Sequence, residues 1–112
     1  GAEVIAVDKA PLDPRIAAMP GVSWRGESAF GLEPDSVGPV DWLCCDIACY
    51  PERLFRLVER WRAAGTVGQF VCTLKFQGAT DHATTAAFAA LPGARVLHLH
   101  HNKHELTLLL PG

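Results

Sequence analysis

Apolar and polar positions fall into two rhythms along this chain. Short unbroken apolar runs that meet a charge at one end alternate with segments whose apolar residues recur every third or fourth position. Glu3-Val4-Ile5-Ala6-Val7-Asp8 is a run of the first kind, the pattern of a parallel strand covered on both faces. Asp13-Pro14 supplies an N-cap and a first-turn proline for a short helix through Met19, which Pro20-Gly21 stops. Val22-Ser23-Trp24 reads as a short strand, and residues 31–39 are a loop by composition. Val40 to Cys45 reads as a short buried strand, closing on Asp46. A helix is predicted from Pro51 to about Ala64, with Leu54, Leu57, Val58 and Trp61 on one face and Gly65 just past its end. Glu52 and Arg56 pair on its exposed side.

Gln69 to Leu74 is a further apolar strand that runs directly into Lys75. After a loop at Phe76-Gln77-Gly78, Thr80 or Asp81 caps an alanine-rich helix to Leu91, stopped by Pro92-Gly93. Arg95 to His101 and His104 to Leu110 alternate as a hairpin about Asn102-Lys103. A two-residue loop there sets His101 opposite His104 and His100 across from Glu105. The order β-α-β-β-α-β-α-β-β predicts an α/β fold, an open and mostly parallel sheet with an antiparallel edge hairpin. Trp24, Trp42 and Trp61 are read as core residues rather than base-stacking platforms. There is no internal repeat.

Composition narrows the class. A chain of 112 residues with 49% apolar and 20% charged residues is one globular domain at most. Its net charge of −2 carries no electrostatic footprint for nucleic acid, so affinity for RNA would have to come from elsewhere. Cys44 and Cys45 are adjacent in a strand and point to opposite faces, which predicts reduced thiols and a cytoplasmic protein rather than a disulfide framework. No apolar run is long enough for a membrane span or a signal sequence. The opening Gly-Ala-Glu-Val leads straight into a strand without an initiator Met, which predicts a piece of a longer polypeptide.

Candidate chemistry collects at strand ends. Asp46 closes a strand where ligands gather in α/β sheets, and Lys75 and Glu105 would converge on the same crevice. The ordinary alternatives are a solvated strand-end acid, an exposed lysine, and a cross-strand partner for His100. His98, His100, His101 and His104 with Cys44, Cys45 and Cys49 include ligand types for zinc. Their spacing fits no finger, and His98 and His100 share a face while His101 points away, so no metal site is expected.

Asp-Trp-Leu-Cys-Cys-Asp-Ile at 41–47, Leu-Lys-Phe-Gln-Gly at 74–78 and His-Glu-Leu-Thr-Leu at 104–108 carry a family likeness. With Val7-Asp8, Val22-Ser23-Trp24, Glu27 and Phe30 ahead of them, they resemble the second half of an FtsJ-type, S-adenosylmethionine-dependent ribose 2′-O-methyltransferase. The resemblance spans nearly all of the chain and rests on order and spacing rather than on one motif. It implies a partial Rossmann-like methyltransferase fold, S-adenosylmethionine as methyl donor and ribosomal RNA as partner. Of the family's Lys-Asp-Lys-Glu tetrad it assigns Asp46, Lys75 and Glu105, with Lys75 as proton acceptor. Asp8 would hold the donor ribose, Glu27 and Ser28 would lie at the adenine, and Asp46 would also face the donor. An Asp is expected where Ser28 stands.

The family's first Lys and its glycine-rich loop would precede Gly1, as would the first strand of the sheet order 3-2-1-4-5-7-6. Residues 1–112 would then supply strands 2 to 7 and be inactive alone. Strands 2 and 4 would either pair directly or leave open edges prone to self-association. A reading of a different class is a non-catalytic α/β module that binds a nucleoside or a protein partner.

Overall fold

The computed structural model describes residues 3–47, 49–75, 81–98 and 105–112. The chain divides into two compact units, Gly1–Ser36 and Val37–Gly112.

In the first unit, β1 (Val4–Val7) and β2 (Val22–Arg25) pair in parallel, with Ala6 opposite Trp24 and Val7 opposite Arg25. The crossover between them contains α1 (Pro14–Ala17), whose N-cap Asp13 accepts a hydrogen bond from the Arg15 N–H. The helix ends before the predicted Met19, because the Met19 N–H turns back to the Ile16 carbonyl. The region expected to be a loop holds one turn of 3₁₀ helix, Pro34–Ser36. The coverage predicted for β1 is a correction: Val4 and Ile5 are 48% and 43% exposed. An unbroken apolar run marks a strand that can be covered on both faces, not what covers it.

The second unit is a four-stranded sheet with two helices on it. Its strands are β3 (Val40–Cys45), β4 (Val67–Lys75), β5 (Arg95–Leu97) and β6 (Glu105–Pro111), in the order β3-β4-β6-β5. β3 and β4 are parallel, and β6 runs antiparallel to both β4 and β5. The four-stranded sheet is therefore mixed, not mostly parallel. Within each unit, no described strand pairs with the free edge of β1 or of β3.

Register sorts the side chains by face. Leu43, Cys45, Phe70, Cys72, Leu74, Leu108 and Leu110 share one face, and all but Leu43 are buried. On this side lies α2 (Pro51–Ala64), which buries Leu54, Leu57, Val58 and Trp61. Pro51 starts that helix with its φ already set, and Gly65 ends it in the left-handed region at φ 71°. Next to it, α3 (His82–Ala89) is capped by Asp81, whose carboxylate takes hydrogen bonds from the Thr84 N–H and hydroxyl. The rings of Phe55 and Phe88 meet edge to face at 4.9 Å and 76° and join the two helices.

β5 and β6 pair antiparallel, as the predicted hairpin requires, but not in the register of a two-residue loop. A two-residue loop requires Leu97 opposite Leu108, but Leu97 faces Thr107 and Val96 faces Leu108. The observed register keeps Val96 on the helix-covered face with Leu108 and puts Arg95 on the other, and a one-residue slip would exchange them. The expected Glu105–His100 and His101–His104 pairs both involve residues outside those described. The core reading of the tryptophans holds only for Trp61, at 4% exposure; Trp24 and Trp42 are 42% and 62% exposed.

Candidate active site

β3 and β4 run parallel, so their C-terminal ends lie side by side, and antiparallel β6 begins at the same end of the sheet. Three of the predicted residues come together there. Asp46 follows the last residue of β3, Lys75 is the last residue of β4, and Glu105 is the first residue of β6, directly opposite Lys75 in the ladder. The Lys75 Nζ lies 2.8 Å from Asp46 Oδ1. The lysine side chain is mostly covered, at 26% exposure, whereas Asp46 is open at 73%. The hydrogen bond to Asp46 holds the Lys75 ammonium above its ordinary pKa; partial burial opposes this, and Asp46 and Glu105 reinforce it by charge. The lowering expected of a proton acceptor is therefore not what this arrangement produces. Lys75 is an ammonium clasped by one carboxylate and faced by another.

Thiols line the covered side of the same sheet end. Burial pushes the Cys45 thiol up to about 11 and also raises Cys49 and Cys72. All three stay protonated at neutral pH and are poor nucleophiles. All four cysteines are free. Among the described residues no three His, Cys, Asp or Glu side chains form a metal-binding group. No described helix is long and apolar enough to cross a membrane.

The remaining predicted residues belong to the first unit. Asp8 follows β1 and is fixed by three of its polar atoms. Its N–H donates to the Arg25 carbonyl at 3.2 Å, its carbonyl accepts from Trp24 Nε1 at 3.0 Å, and its Oδ1 accepts from the Ala10 N–H at 3.0 Å. Asp8 Oδ2 makes no hydrogen bond to a described residue, which leaves an acceptor suited to a hydroxyl group. Glu27 is ion-paired with Arg25 at 2.9 Å, and the Arg25 guanidinium also donates to the Ser36 carbonyl and hydroxyl. The Ser28 hydroxyl accepts from the Phe30 N–H. Glu27 and Ser28 are thus engaged within their own loop. The parts played by Trp24 and Arg25 are not evident from composition; the only signal is that each lies within three residues of Glu27 or Ser28 on a strand end.

No protein-family model matches the chain. Known proteins do. Ribosomal RNA large subunit methyltransferase M of Alkalilimnicola ehrlichii is 33% identical over 116 residues, which covers 97% of this chain and 32% of that protein. This chain is a relative of the ribosomal RNA large subunit methyltransferases M. The methyltransferases of the same name from Halorhodospira halophila and Laribacter hongkongensis match it at 29% and 30% identity, over 96% and 98% of the chain. The chain spans about a third of the length of these curated relatives, 33% and 34% for the latter two. The kinship read from segments 41–47, 74–78 and 104–108 thus agrees with large subunit methyltransferase M along nearly the whole chain.

Proposed function

We propose that residues 1–112 are part of the catalytic domain of a cytoplasmic enzyme that transfers a methyl group from S-adenosylmethionine to a ribose 2′-hydroxyl of ribosomal RNA. The observation that carries this reading is the gathering of Asp46, Lys75 and Glu105 at one sheet end, with Lys75 2.8 Å from Asp46 and opposite Glu105. The strand orders support a partial Rossmann-like fold. β2-β1 corresponds to 3-2 of the family order, and β3-β4-β6-β5 corresponds to 4-5-7-6.

When bound, the donor supplies an electrophilic methyl group on a sulfonium. The chain's task is to align a ribose hydroxyl in line with that methyl group and to take its proton. In this reading the Lys75 Nζ is the acceptor, and Asp46 and Glu105 hold it in place. An ammonium cannot accept a proton, so a second cation beside Lys75 must first bring its pKa down; the first Lys of the family tetrad would fill that role. Asp8 Oδ2 would accept from the donor ribose, and this acceptor, unbonded among the described residues, is the feature of the first unit that fits a nucleoside. Glu27 can reach an adenine only by leaving Arg25, and Ser28 brings a hydroxyl where the family has a carboxylate.

Residues 1–112 alone are expected to be inactive, since they hold neither that second lysine nor a glycine-rich loop after a strand. In isolation the open edges of β1 and β3 offer unpaired backbone groups to a second copy. The test is calorimetric titration of S-adenosylmethionine into residues 1–112 and into a polypeptide extended upstream through the family's glycine-rich loop. Binding confined to the extended chain is the expected result. Binding to neither would leave the non-catalytic α/β module as the better reading.

A further inference from the structure

Asp8 is bonded through its N–H, its carbonyl and its Oδ1. The strand ladder itself continues through Asp8, whose N–H reaches the Arg25 carbonyl. The indole of Trp24 adds a bond that the ladder does not require. Trp24 lies opposite Ala6 in the register, yet its Nε1 reaches past that partner to the carbonyl of Asp8. The ring then runs alongside Gly26. A Cβ placed on Gly26 would lie 2.8 Å from Cη2 and Cζ2 of the indole, closer than real Cβ contacts come. Glycine at 26 therefore makes room for the ring, and the ring carries its donor to Asp8. Trp24 thus holds the backbone of Asp8 through its carbonyl, and the Ala10 N–H holds its side chain through Oδ1. Such preorganisation is what an acceptor for a sugar hydroxyl needs, because the rotamer entropy is lost before the ligand arrives.

We propose that Trp24, accommodated by Gly26, is the positioning residue for Asp8 and sets the carboxylate that discriminates a ribose from a deoxyribose. This rests on the reading of Asp8 as the donor-ribose acid. A carboxylate–hydroxyl hydrogen bond corresponds to roughly tenfold in affinity.

The test uses the longest natural polypeptide that contains residues 1–112, as wild type, Trp24→Phe, Gly26→Ala and Asp8→Asn. Trp24→Phe keeps a ring over Gly26 and removes the N–H donor; Gly26→Ala keeps the donor and displaces the ring. Affinities for S-adenosylhomocysteine and its 2′-deoxy counterpart give a ratio, and exchange of the Ala10 amide is followed without ligand. The expected result is a wild-type ratio of about ten that falls toward one in all three variants, with faster Ala10 exchange in Trp24→Phe and Gly26→Ala. A folded Trp24→Phe or Gly26→Ala that keeps both the wild-type ratio and the wild-type exchange rate overturns the proposal. Failure of the underlying reading looks different: the wild type then shows no ratio, while Ala10 exchange in Trp24→Phe still decides whether Trp24 holds the Asp8 loop.

Discussion

Lys75 is the residue whose surroundings matter most. Its ammonium is bonded to one carboxylate and faces a second across the ladder, and both raise its pKa above the ordinary 10.5. A folded-state pKa above the unfolded one means that the pair's stabilisation is complete at neutral pH. It is lost only as pH rises through the raised value. Because Asp46 is 73% exposed, the pair contributes only about 0–1 kcal/mol. Lys75→Met should therefore shift the urea midpoint little at pH 7, and the small difference should vanish once the pH has risen through the raised Lys75 pKa. A loss of several kcal/mol on that substitution would mean that Lys75 is a structural residue. The same pairing explains why geometry alone does not make Lys75 a base: the acids that hold it also keep it charged.

At the scale of elements, α2 was fully legible because both of its ends are punctuated by residues with fixed backbone preferences, Pro51 and Gly65. The six residues of β3 were equally clear as a strand closing on a charge, but not as a buried one: of the six only Cys45 is buried, and Trp42 is 62% exposed. β4 proved longer at both ends than its apolar segment, because its pairing with β3 begins at Val67 and its ladder with β6 runs out to Lys75. Polar residues at strand ends are carried by backbone pairing, which hydropathy does not register. The β5–β6 pairing was legible but its register was not, for a related reason. The turn dipeptide suggested a loop length, while the buried face of β6 decides the pairing. Trp24 and Trp42 show that an aromatic ring advertises a face that can be covered, not one that is. The helix layer yields its own prediction. Phe88 is fully buried and meets Phe55 edge to face where α2 and α3 join. Phe88→Ala should cost about 3–5 kcal/mol, read as a lower urea midpoint at unchanged slope. A cost below about 1 kcal/mol would mean that the two helices do not form one packed layer with the sheet.

For the whole molecule, the candidate site was legible as a set of residues before it was legible as chemistry. Asp46, Lys75 and Glu105 stand at three strand termini far apart in sequence, and the β3-β4-β6 order unites them. Sequence placed them correctly because parallel β3 and β4 must end together and antiparallel β6 must begin where β4 ends. It did not reveal the charge state of Lys75, which depends on a 2.8 Å contact, or the bonds that tie Glu27 and Ser28 into their loop. The most direct test of the central claim is methyl transfer from labelled S-adenosylmethionine to a large-subunit ribosomal RNA transcript. It compares the longest natural polypeptide containing these residues with its Lys75→Met variant, and the methylated position is read by resistance of the adjacent phosphodiester to alkali. The expected result is a methyl group on a ribose 2′-oxygen with the wild type and none with Lys75→Met, which folds normally. Undiminished transfer by Lys75→Met, or a methyl group on a base, would contradict the assignment of this strand-end cluster as a ribose methylation site.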